Sequence, residues 1–101
     1  MLSHTVFFTL KDSSAEAVEK LVAASHKYLT QHDGIRLLTA GPRTTDLTRP
    51  VNDQEFHVAL NVVFESREAH DVYQVSDNHE AFIAEQKDNW EAVRVFDADV
   101  S

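Results

Sequence analysis

Phe56-His57-Val58-Ala59-Leu60-Asn61-Val62-Val63-Phe64-Glu65 decides the fold. Phe56, Val58, Leu60, Val62 and Phe64 alternate with His57, Ala59, Asn61, Val63 and Glu65. A repeat of two places successive side chains on opposite faces of a strand, so one face here is wholly apolar and the other mixed. Toward the N-terminus, 41–53 carries both prolines and fits no period, which reads as a surface loop of about a dozen residues. Before it, Ile35 to Ala40 reads as a short strand. Thr5 to Leu10 is a further strand, with His4, Val6, Phe8 and Leu10 on one face and Thr5, Phe7 and Thr9 on the other. Between these strands Ser13-Ser14-Ala15-Glu16 has the form of a capping box. Val18, Leu21, Val22, Ser25, Tyr28, Leu29 and His32 then recur at helical spacing, up to a stop expected near Asp33-Gly34.

Toward the C-terminus, Ser66 reads as an N-cap for a short helix carrying Ala69, Val72 and Tyr73 on one face. Asp77-Asn78-His79-Glu80 is a second capping signal, and His79, Phe82, Ile83, Gln86 and Trp90 fall along one side of the helix expected after it. Val93 to Val100 alternates once more as a last strand. The order β-α-β-β-α(α)-β specifies an α+β, ferredoxin-like chain, with a four-stranded antiparallel sheet and its helices on one face. If Val6, Phe8, Val58, Leu60, Val62, Val93 and Val95 meet the helices, the other face holds Phe7, Thr9, Ala59, Val63 and Phe96, which is too apolar for water. A second copy packed sheet to sheet covers it, closing a dimeric α/β barrel, with His57 and Asn61 as interface candidates.

With 101 residues the chain has room for one core, so residues 1–101 are read as one domain. Its formal net charge of −8 argues against nucleic acid and anionic membrane as partners. The absence of cysteine removes disulfides, thiol nucleophiles and cysteine metal sites. The opening residues lack a basic leader and no run approaches the ~18 apolar residues of a membrane span, so a cytoplasmic location is expected. No phosphate loop, Gly-x-Ser-x-Gly elbow or paired carboxylates occur. His26, His32 and His70 are expected on helices without metal-ligand spacing, so no metal is expected.

His4-Thr5-Val6-Phe7-Phe8-Thr9-Leu10-Lys11-Asp12, Phe64-Glu65-Ser66, the segment from Tyr73 to Phe82, and Val95-Phe96-Asp97 together resemble the stress-response A/B barrel family, small dimeric α/β barrels that include olivetolic acid cyclase. The resemblance covers nearly the whole chain. The segment from Tyr73 to Phe82 is similar to the family's Tyr, His-Pro-Ala-His-type turn and Phe; Tyr73, His79 and Phe82 match, while Ser76, Asp77 and Asn78 replace the first three turn residues. The resemblance implies aldol-type chemistry on a polyketide-like carbonyl compound without metal or organic cofactor, with His79 as base and Tyr73 polarising a carbonyl. His4 matches a pocket histidine, and Val58 stands where the cyclase has another. Other members resemble non-catalytic stress proteins that assemble into rings, which is the alternative.

Chemistry on the chain's own residues agrees. An imidazole titrating near 6.5 takes a proton near neutrality, and a helix start disfavours its cation. A tyrosine hydroxyl donates to a developing enolate. His4, Val6, Phe8, Tyr28, Val58, Phe82 and Trp90 are the expected lining of a small-molecule pocket. Each has a structural reading beside this one: His79 and Tyr73 as packing at a helix start, the aromatic residues as core.

Overall fold

In the computed structural model, which describes residues 1–101, the alternating segments pair into one sheet. The elements are β1 (Leu2–Leu10), α1 (Ala15–Leu29), β2 (Ile35–Pro42), β3 (Val58–Phe64), α2 (Arg67–Gln74), α3 (Asp77–Gln86), a 3-10 turn (Lys87–Asn89) and β4 (Trp90–Asp99). Strand order is β2-β3-β1-β4 and every pairing is antiparallel, the ferredoxin-like arrangement. Register is set by the apolar alternation: Val6 faces Leu60 on one side and Val95 on the other, and His4 faces Val62 and Asp97.

The core lies between the sheet and the helices. Every even position of β1 from Leu2 to Leu10 is buried, as are Val58, Leu60, Val62 and Phe64 of β3, against Leu21, Ala24 and Leu29 of α1, Tyr73 of α2 and Phe82 of α3. Each α-helix starts on a serine: the Ser14, Ser66 and Ser76 hydroxyls accept from the Ala17, Ala69 and His79 amides. Such caps contribute about 1 kcal/mol each. The third helix is therefore capped by Ser76, with Asp77 already inside its first turn.

Several boundaries depart from the sequence reading. α1 stops at Leu29 rather than near Gly34, and His32 lies beyond it. The His32 ring donates from Nδ1 to the Leu29 carbonyl at 2.9 Å, satisfying one of the acceptors a helix end leaves open. Gly34 has φ 85°, and a Cβ there would come within 2.5 Å of the Ala69 Cβ, so glycine is required both for the turn and for α2 to pack. α3 ends at Gln86, and Trp90 opens β4 instead of continuing the helix. Its ring still reaches the core, 4.9 Å from that of Phe8 and 5.7 Å from that of Phe82.

The opposite face of the sheet has no helix over it. Phe7 sits there with Phe56 at 4.9 Å and Phe96 at 5.7 Å between ring centroids, and Phe96 is 55% exposed. His57 is occupied within the chain, its Nδ1 accepting from the Leu10 amide at 2.9 Å where the β1–β4 register shifts. Asn61 bonds Thr39 across β2 and β3. No helix is long and apolar enough to cross a membrane.

Candidate functional site

A cavity of about 180 Å³ opens between the sheet and the α2–α3 pair. Of the expected residues it gathers His4, Val6, Phe8, Tyr73, His79, Phe82 and Trp90. Two others lie elsewhere. Val58 is wholly enclosed in the core, and the Tyr28 hydroxyl turns outward to donate to Glu85 at 2.9 Å. Leu60, Gln74, Ile83, Val93 and Val95 complete the wall. The sequence pattern puts Val93 and Val95 on the helix face, but β4 is an edge strand and no helix reaches over it. They are 41% and 48% exposed and form the mouth of the cavity.

Tyr73 is positioned by α2, whose start Ser66 fixes, and is 1% exposed. Three histidines surround its ring, with centroids at 4.8 Å for His79, 5.0 Å for His32 and 6.1 Å for His4. Burial alone pushes the Tyr73 hydroxyl well above the usual phenol range, so it remains a protonated donor at every physiological pH.

Ser76 ties the cluster together. His32 has its proton on Nδ1, so its Nε2 accepts from the Ser76 hydroxyl at 2.7 Å, while the same oxygen accepts from the His79 amide at 3.1 Å. His79, in the first turn of α3, is held below the ordinary imidazole value, first by burial and then by the neighbouring His4, His32 and His70. Its Nδ1 is buried without a partner. A neutral imidazole and a protonated phenol stand with rings 4.8 Å apart at the polar end of an apolar cavity, where the one can accept a proton and the other can donate a hydrogen bond.

A second polar group adjoins them. His4 Nδ1 lies 2.5 Å from Asp97 Oδ1 across the β1–β4 pair, and the His70 ring centroid is 5.2 Å from that of His4. His4, His70 and Asp97 each offer a donor atom within 4.8 Å of the others. The expectation of no metal rests on local spacing; these three come from β1, α2 and β4, and no spacing rule joins them. The signal available in the sequence was the strand register that pairs His4 with Asp97.

The family model for the stress responsive A/B barrel domain matches residues 2–100. No curated protein matches the sequence. Among solved structures, a dabb family protein with a ferredoxin-like fold from Mesorhizobium loti superposes with TM-score 0.80 at 22% identity, covering 99% of this chain and 96% of that one. A dimeric ferredoxin-like protein of unknown function from Thermobifida fusca gives TM-score 0.81 at 14% identity, covering 98% and 90%. A hydroxynitrile lyase from Passiflora edulis gives TM-score 0.78 at 19% identity, covering 99% and 93%. At these identities the likeness establishes the fold.

Proposed function

The chain belongs to the stress responsive A/B barrel domain family, and from that premise we propose that it is a homodimer whose cavity binds a small carbonyl compound and transforms it by proton transfer. The observation that carries this reading is the Tyr73–His79 pair, with ring centroids 4.8 Å apart, at the polar end of the cavity. Neutral His79 takes a proton from the carbon beside a carbonyl. The electron pair becomes an enolate, and the Tyr73 hydroxyl hydrogen-bonds its oxygen. In an aldol-type cyclisation that carbon then attacks a second carbonyl of the same molecule, and the proton on His79 passes to the new alkoxide. Isomerisation uses the same first step and returns the proton to another carbon. No organic cofactor takes part.

Cavity size favours a compact substrate. Pockets for drug-sized ligands run to roughly 300–1,000 Å³, whereas this one is about 180 Å³. A longer polyketide-like acid extends through the mouth at Val93 and Val95. A hydroxynitrile lyase has a similar fold, and releasing a carbonyl compound from a hydroxynitrile requires a base for the hydroxyl proton, a role open to an imidazole such as His79. Similar structures described as dimeric, together with the uncovered Phe7, Phe56 and Phe96 cluster, support self-association through the sheet.

The test is a ligand-dependent thermal shift of wild type and His79→Ala across small β-dicarbonyl compounds and polyketide-like acids, since a ligand bound only by the folded state raises the melting temperature. The expected result is a shift in wild type that His79→Ala removes. If no compound shifts either protein and the variant merely melts earlier, His79 is structural and the non-catalytic assembly reading replaces this one.

A further inference from the structure

Beside the Tyr73–His79 pair, His4, His70 and Asp97 bring three potential donor atoms within 4.8 Å of one another. We propose that these three residues bind a divalent transition-metal ion of the zinc, cobalt or nickel type. The proposal does not rest on the carbonyl chemistry of the neighbouring pair.

Two of the donors are held by the backbone. His4 and Asp97 are direct cross-strand partners in the β1–β4 register, so their side chains rise from the same face of the sheet. The third is held by a chain of hydrogen bonds. His70 Nδ1 bonds Asp71 Oδ1 at 2.9 Å, and the Arg67 Nε donates to that same carboxylate at 2.9 Å. A carboxylate only accepts, so the His70 proton sits on Nδ1 and its Nε2 keeps a free lone pair. That Nε2 is buried and has no partner. Buried acceptors are nearly always paired, and one left open beside a second imidazole and a carboxylate points to a missing partner. Donation of the far ring nitrogen to a carboxylate is also how metal-bound histidines are oriented.

The donor set fixes the class of ion. Two imidazoles and one carboxylate suit the borderline transition dications, whereas calcium and magnesium take oxygen donors. In the metal-free protein a proton lies between His4 Nδ1 and Asp97 Oδ1. Metal binding releases it to solvent and uses the donor atoms it joined. Three protein donors leave at least one coordination position for water or another ligand. The Asp97 side chain is 46% exposed, which provides a route to solvent, and the net charge of −8 draws cations toward the surface.

The experiment titrates the tag-free, chelator-treated chain with Co²⁺, read by visible absorption, and with Zn²⁺, read by calorimetry. The expected result is one saturable ion per chain, with an affinity that falls ~10-fold or more in His70→Gln and in Asp97→Asn. Both variants keep the metal-free melting temperature within a few degrees, since neither side chain belongs to the apolar core. His26→Gln, on the exposed side of α1, and His79→Ala leave metal affinity unchanged. The proposal is overturned if no stoichiometric binding occurs, if His70→Gln and Asp97→Asn bind as wild type does, or if His79→Ala abolishes binding. None of these outcomes bears on the carbonyl ligand, which the thermal-shift test addresses separately.

Discussion

β1 has two faces built from the same kinds of residue, and they have opposite fates. Leu2, His4, Val6, Phe8 and Leu10 are all buried under the helices, whereas Thr5, Phe7 and Thr9 lie half-buried on a face that no helix covers. Apolar content does not distinguish them: Phe7 is as hydrophobic as Phe8. The difference is that α1, α2 and α3 all return to one side of the sheet, so the chain itself completes that side, and the other is the face proposed above for self-association. The contrast also assigns chemistry. The covered side carries the histidine cluster around Tyr73, where exclusion of water strengthens hydrogen bonds and displaces titration. The uncovered side carries phenylalanines and small polar residues.

Phe8→Ala tests the covered face most severely. Phe8 is 2% exposed and packs against Phe82 and Trp90, so its loss costs ~3–5 kcal/mol, read as a lowered denaturant midpoint. A cost near zero would mean that this face is not the core. Phe96→Asp tests the other side. At 55% exposure Phe96 adds little to the fold of one chain, so the change costs a monomer under about 1 kcal/mol while shifting sedimentation from dimer to monomer. A variant that stays dimeric would remove this face from the interface. The smallest effect is on pH dependence. His79 is held below its ordinary value in the folded chain, so below about pH 6.5 the unfolded chain binds the proton first and stability falls as pH falls. Above that value the contribution is fully present. His79→Phe flattens this slope in pH-dependent melts.

The same contrast separates what is legible in the sequence from what is not. Period-two alternation in 58–64 and in β1 is a short-range signal, and it identifies the strands, their faces and the ferredoxin-like order; Phe56 departs from it, since β3 begins at Val58 and the Phe56 ring packs on Phe7 on the opposite side of the sheet. Ser66 reads correctly as a cap because capping is local. The errors occur where tertiary contacts override a local period. His32 and Trp90 each continue a helical spacing, yet a side-chain bond to the Leu29 carbonyl and a 3-10 turn place both beyond their helices. Tyr28 and Val58 share faces with pocket residues but lie outside the cavity, one turned to Glu85 and the other enclosed. Val93 and Val95 have the right face and the wrong exposure, because an edge strand lacks a neighbour. His70 and Asp97 carry no local pattern at all, since their meeting with His4 depends on the packing of α2 and the register of β4.

Whether His79 is a neutral base beside a donor hydroxyl is read from an NMR titration of its imidazole with and without a ligand found by thermal shift. The expected result is a titration midpoint below 6.5, a single neutral tautomer at pH 7, and a ring shift when the ligand binds. A midpoint at or above 6.5, with a ring indifferent to ligand, would contradict it.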